Sequence, residues 1–386
     1  MKNRLVLAGS AVVASVGLCM AAAPAMAQAP LKRTVACGDV AALIAAIGEV
    51  NANTGGGKIT LAKDCAYRFQ DDFEDSGDAL PVITGKVAIT GENASLIRSV
   101  QGGSPLFRLL NVAQGGELSL KGVTVTGGRT EGNGGGIANA GTLRLEDSKV
   151  AGNQAAGDGG GIANEGGRVT LVDSEVLTNV ATGTEEPGDG GGIANDADGT
   201  VTLKKSTVAG NTADENGGGI RNLGKLEVEH SHVANNEARD GDGGGVDNHG
   251  TAKFKFSHVV ENWAGIDGGG INNGEGATLD VHSSIVANNK AGNDGGGINN
   301  EGTATLKKSK VESNSAGRDG GGINNAQVAD AATTRLKLED STVAENRAAG
   351  VGGGINNQPG ASVTLKNSKV VKNLPKNCAG TVSGCS

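Results

Sequence analysis

The tripeptide Gly-Gly-Gly, followed by Ile or Val and then an Asn two residues on, occurs nine times. Its aliphatic residue is Ile137, Ile162, Ile193, Ile220, Val246, Ile271, Ile298, Ile323 or Ile355, at intervals of 25 to 32 residues. A recurrence in that range marks a solenoid, in which each repeat buries its apolar edge only against its neighbours. Glycine makes up 67 of 386 residues and aromatics only 2%, a composition that would mean disorder in a chain without a period. The period removes that reading.

Aligned, the nine copies give one template: G-G-G-I-x-N, a short connection, then L-x-L-x-x-S-x-V-x-x-N-x-A. Apolar pairs at i and i+2, from Leu143/Leu145 through Leu226/Val228 to Val363/Leu365, describe strands with one buried face. Ser148 and Val150 alternate with Lys149 in the same way. No segment between strands has helical spacing. Three short strands per turn of about 25 residues, joined by glycine-rich bends, describe a parallel β-helix, and nine such coils stack to roughly 43 Å.

Two Asn columns run through every coil, one from Asn139 to Asn357 and one from Asn153 to Asn373. Asn tolerates the left-handed backbone of a sharp bend, and stacked amides form ladders. Both columns are therefore assigned to structure. A small Ala follows the second Asn at Ala155 and its equivalents, and Pro375 ends that row.

Function is sought where the regularity breaks. Asp158, Asp189, Asp242, Asp267, Asp294 and Asp319 precede the glycine triplet in six coils, and Asn133 and Asn216 in two more. A carboxylate column one strand spacing apart repels itself unless bridged, which makes these residues a candidate Ca²⁺ site. All five histidines fall between residues 230 and 282. His232 and His258 hold one outward position on adjacent coils, with His230 and His282 close by, a candidate binding patch for a metal or a ligand. Two coils are long, at Thr182–Gly188 and at Ala326–Thr334, and solenoid insertions land in loops.

The G-G-G-I…S-x-V-x-x-N repeat resembles those of secreted bacterial right-handed β-helix proteins of the pectin-lyase-like superfamily. Among these are the polymorphic outer-membrane protein repeats, although Val stands here where those carry Phe. The stretch from Cys37 to Tyr67 resembles the N-terminal cap of such proteins, a short amphipathic helix; Val40, Leu43, Ile44, Ile47 and Val50 supply one apolar face. The end of the chain resembles a disulfide-closed terminal coil. The resemblance implies an all-β fold, a single right-handed parallel β-helix over 81–373, with caps at 28–80 and 374–386. Relatives of this kind include adhesins, lyases and proteins without known activity. Membrane-anchored relatives end in a β-barrel translocator, and none is expected after the last coil here.

Residues 1–27 carry Lys2, Arg4, an apolar run and Ala25-Met26-Ala27, the pattern of a secretory signal peptide. Removing them deletes two positive charges, so the formal net charge moves from -8 to -10. Export and acidity argue against nucleic-acid binding, and no later segment is apolar enough to span a membrane. Four cysteines then remain, an even number in an oxidising compartment. Of three connectivities, Cys37 with Cys65 and Cys378 with Cys385 joins the two residues at each end of the array.

The superfamily's catalytic signatures Gly-His-Gly and Arg-Ile-Lys are absent, and the aromatics that line sugar clefts are few. The sequence therefore points to a secreted or surface-associated, non-catalytic module that adheres to, or binds, extracellular polysaccharide or cell-surface glycan. The alternative is a Ca²⁺-dependent polysaccharide lyase or a glycoside hydrolase, which would need convergent acidic and basic groups in a groove.

Overall fold

The computed structural model describes residues 28–99, 105–183, 188–328 and 334–385. The signal-peptide reading of residues 1–27 falls outside them, as do the middles of both long bends. Each regular coil contributes four strands, in the first case Ile137–Asn139, Thr142–Glu146, Lys149–Ala151 and Gln154–Ala155. They enter three sheets of 11, 23 and 9 strands. The 23-stranded sheet takes both middle strands, because the chain bends at Ser148 and its equivalents without leaving the ladder. The three strands expected per coil are thus four segments in three sheets.

Successive coils pair in parallel and in register, Ile162 with both Ile137 and Ile193. The template positions expected to face inward are buried in the first eight coils: the Ile or Val after the triplet, the apolar pair, the Val after Ser and the small Ala. In the ninth, Val363 and Leu365 are half-buried. Phe254 takes one of these core positions at 1% exposure. Each larger side chain contributes roughly 1.5 to 3 kcal/mol, and a void in one coil is felt by the two it touches.

The Asn columns form the expected ladders. Asn153 Nδ2 donates to Asn179 Oδ1 at 3.0 Å, and Asn139 Nδ2 to Asn164 Oδ1 at 2.7 Å, with the same bonds repeated coil after coil. Their backbone, however, is not left-handed. The left-handed residues stand one position earlier, before the second Asn (Thr178, Asn235, Glu261) and before Ser (Asp147, His230, Phe256), with the first glycine of each triplet as the third. The physical reason is that an Asn needs ordinary strand geometry to aim its amide at the next coil, so its neighbour takes the bend.

The N-terminal cap begins with β1 (Leu31–Val35), which pairs with β2 (Gly57–Leu61). Between them lies α1 (Val40–Ala52), started by Asp39, whose Oδ1 accepts the Ala42 N–H at 2.9 Å. Its buried residues are Leu43, Ala46, Ile47 and Val50, so the predicted apolar face closes the open end of the core. Disulfides join Cys37 to Cys65 and Cys378 to Cys385, with Cα separations of 5.5 and 6.3 Å. Cys378–Ala379 pairs with the last glycine-triplet strand. Among the described residues no helix is long and apolar enough to cross a membrane.

Candidate functional site

Two regions of the rod depart from the repeating background, on different sheets. The first lies on the 23-stranded sheet. His230 and Phe256 occupy the left-handed corner on adjacent coils, with φ of 50° and 51°. Their rings stack at 4.9 Å and 11°, and Phe256 meets His282 edge-on at 5.9 Å. Phe256 is 47% exposed. Beside them His232 and His258 stack at 4.8 Å and 4°. Burial and the neighbouring His232 pull the His258 imidazole below its ordinary range.

Lysines surround this ridge. Lys204, Lys255 and Lys307 share the outward column that includes His282, and Lys205 and Lys308 share the corner column of Phe256. Elsewhere on the sheet some lysines are paired, Lys225 with Glu227 at 2.8 Å and Lys337 with Glu339 at 2.9 Å. Among the described residues these five, and Lys253 between them, form no ion pair within the ordinary distance. Two shallow depressions of about 170 and 280 Å³ open here, lined by Lys204, Lys253 and Lys255 and by Lys255, His282 and Lys307. The predicted patch of His230, His232, His258 and His282 is thus brought together. Sequence reading missed its centre, since Phe256 sits two residues from the core Phe254 and carries no pattern of its own.

The second region is built on the 11-stranded sheet. The residue between the template Ile and Asn is Ala138, Ala163 and Ala194 in the first three coils, then Arg221, Asp247, Asn272, Asn299, Asn324 and Asn356. This switch was legible in the aligned repeats. Asn272 Nδ2 donates to Asp247 Oδ1 at 2.8 Å, and the next three amides continue the chain at 2.9 to 3.0 Å. Arg221 pairs with Asp189, which is 2% exposed, and lies 3.8 Å from Asp247, which is 1% exposed. His249 Nε2 sits 3.2 Å from Asp247 Oδ2, and that carboxylate raises the imidazole's proton affinity.

The predicted Asp column borders this region as another ladder. Each carboxylate accepts the backbone N–H of the column residue in the next coil: Asp158 from Asp189 at 2.9 Å, Asp242 from Asp267 at 2.8 Å, Asp267 from Asp294 at 2.8 Å and Asp294 from Asp319 at 2.9 Å. Asn133 and Asn216 do the same for Asp158 and Asp242. These donors, the neutral amides, Arg221 on Asp189 and Arg318 on Asp294 relieve the mutual repulsion. Among the described residues no three His, Cys, Asp or Glu side chains gather as a metal-holding group.

Burial pushes Asp242 and Asp267 each up to about 6, and pushes Glu301 up as well. A carboxyl raised in the folded state takes up its proton at a pH where the unfolded chain stays ionised. Folding is therefore favoured as pH falls through 6. The raised His249 acts in the same direction, while the lowered Glu146, Glu227 and Glu339 act only at more acid pH. The midpoint of thermal unfolding, followed by circular dichroism, is expected to be higher at about pH 5 than at about pH 7.5. Asp242→Asn with Asp267→Asn should raise the value at the higher pH and flatten the difference, since Asn216 already fills this column. A pH-independent midpoint in the parent would refute it.

No family model matches the chain, and no curated protein matches it. Among solved structures it is similar to a pectate lyase at 16% identity, covering 92% of this chain and 82% of that one with a TM-score of 0.48. It is also similar to the A-module of an Azotobacter vinelandii mannuronan C-5 epimerase, at 14% identity, 90% and 96% coverage and a TM-score of 0.45. The fold is a right-handed parallel β-helix. Within that β-helix the histidine ridge and the Asp247 region lie over the same central coils, on the 23-stranded and 11-stranded sheets.

Proposed function

We propose that the protein is an exported, non-catalytic β-helix module that binds an acidic polysaccharide across the ridge of His230, Phe256 and His282. The observation that carries this reading is Phe256. A bulky side chain in left-handed backbone costs of order 1 kcal/mol or more, and its ring is exposed rather than packed inward. Nothing in coil stacking requires it, since Asn367 and Asp147 hold the same corner elsewhere. An exposed ring offers a sugar a flat apolar face, and unpaired lysines offer its acid groups charge-assisted hydrogen bonds. Each exposed ion pair is worth about 1 kcal/mol at most. Affinity must come from several along the rod, and it must weaken with salt.

A glycan array with and without Ca²⁺, followed by titration of the best acidic binder, tests the proposal. Phe256→Asn is expected to weaken binding about tenfold, which corresponds to roughly 1.4 kcal/mol, while leaving thermal stability equal or higher. Lys204→Glu with Lys255→Glu and Lys307→Glu should weaken it further and flatten the salt dependence. Neutral glycans bound equally well, or parental affinity in Phe256→Asn, would overturn the reading. The second reading, a polysaccharide lyase or hydrolase, is favoured by the Asp242 carboxyl, raised to about 6 within the field of His249, a range suited to general acid–base work. Cleavage of the bound glycan, lost in His249→Ala, would select it.

A further inference from the structure

The stacked pair His232 and His258 is not used by the ridge. Its strands pair in register, and Thr207 and Ile285 occupy the same outward position on either side. The pair is therefore an isolated two-imidazole unit, with the nearest lysine of its column, Lys310, beyond Ile285. His232 is exposed and His258 half-buried. His258 Nδ1 is enclosed and without a hydrogen-bond partner, which leaves Nε2 as its solvent-side nitrogen.

We propose that His232 and His258 form a binding site for a first-row transition-metal ion such as Cu²⁺ or Zn²⁺. Imidazole nitrogens bind such ions at about 2.0 to 2.1 Å, so two donors on one ion lie no more than about 4 Å apart. The ring centroids are 4.8 Å apart and nearly parallel. Stacked rings can take only neighbouring positions on an ion, where their donors stand about 3 Å apart. Splaying the rings so that their outer edges close by about 2 Å reaches that, a side-chain motion that leaves the strands in place. The neutral imidazole pair supplies two ligands and water completes the shell. Nitrogen donors favour Cu²⁺ over Ni²⁺ and Zn²⁺. The unbonded Nδ1 of His258 means that the usual outer hydrogen bond to a ligating histidine is missing there, so the affinity is micromolar rather than nanomolar.

Calorimetric titration of the full chain with CuCl₂, NiCl₂ and ZnCl₂ at about pH 7.5 tests this. One ion per chain is expected, bound most tightly for Cu²⁺, with two nitrogen donors in the Cu²⁺ electron paramagnetic resonance spectrum. His258→Ala and His232→Ala should each weaken binding about tenfold or more and remove one nitrogen, with unchanged thermal unfolding. His230→Ala with His282→Ala should leave binding intact. Parental affinity in His258→Ala, loss of the site in the His230 and His282 variant, or no binding of any of the three ions would each overturn it.

Discussion

Gly269→Ala is expected to lower the thermal midpoint by roughly 5 °C, the scale of a 4 kcal/mol loss in a chain of this size. A methyl group at Gly269 would stand 2.4 Å from the carbonyl carbon and oxygen of Lys290 and 2.6 Å from Gly296 O. All three are backbone atoms, Lys290 at the far end of the same coil and Gly296 in the next, so no rotamer change relieves the clash. The three glycines have separate reasons. Gly268 is left-handed at φ 64°, Gly269 meets the next backbone, and Gly270 meets the Asn289 amide at 2.8 Å. Because each coil packs only on its neighbours, a misplaced coil uncouples the two halves of the rod. Gly48 is the control. It lies exposed in α1 with nothing within 4 Å of an added methyl, and Gly48→Ala should stabilise by about 0.5 to 1 kcal/mol. Equal midpoints for Gly269→Ala and the parent would contradict the packing.

Asn236→Ala should cost about 3 to 5 kcal/mol, read from denaturant unfolding. The Asn236 side chain is 1% exposed. Its Nδ2 donates to Val208 O and Asn262 Oδ1, and its Oδ1 accepts from the backbone N–H and the Nδ2 of Asn211, all at 3.0 Å. Removing the amide takes the side-chain acceptor from the Asn211 N–H and one bond each from Val208 O, Asn211 Nδ2 and Asn262 Oδ1, buried groups on the two flanking coils. Each loss costs up to about 1 to 3 kcal/mol before relaxation. Asn236→Asp separates hydrogen bonding from shape. Its oxygens still accept from Asn211, but the donor to Asn262 is gone and a buried charge faces a carbonyl-type oxygen. Both variants should therefore be destabilised, and a tolerated Asp would mean that the ladder's donors contribute little.

Much of this was legible in the sequence because it repeats. The inward columns and both amide ladders follow from residue types fixed in every coil, and the cap helix and disulfide pairs from apolar spacing and from cysteines that stand only at the two ends of the array. What escaped was whatever the fold sets by backbone rather than by residue type. The left-handed corner before Ser holds Asp147, Lys205, His230, Phe256 and Ser283 with nearly the same φ, so its occupants share no chemistry that a pattern would catch. Phe256 was hidden there. The Asp column was visible, yet its bond to the next coil's N–H was not, because that contact joins residues 25 to 32 apart. The ladder from Asp247 to Asn356 was readable only as a change in one template position.

The Asn153-to-Asn373 ladder also has an end. From Asn153 onward each rung passes its donors to the oxygen of the next coil, and at Asn373 no further coil follows. There the N–H and Nδ2 donate at 3.1 and 3.2 Å to Oδ1 of Asn377, four residues along the same chain. The cap thus supplies a counterfeit rung. A rod whose every section is a template for another would otherwise offer an open face to a second molecule. Asn377, fixed beside the strand that Cys378 begins, ends the ladder within the chain instead of leaving its last donors open to a second molecule.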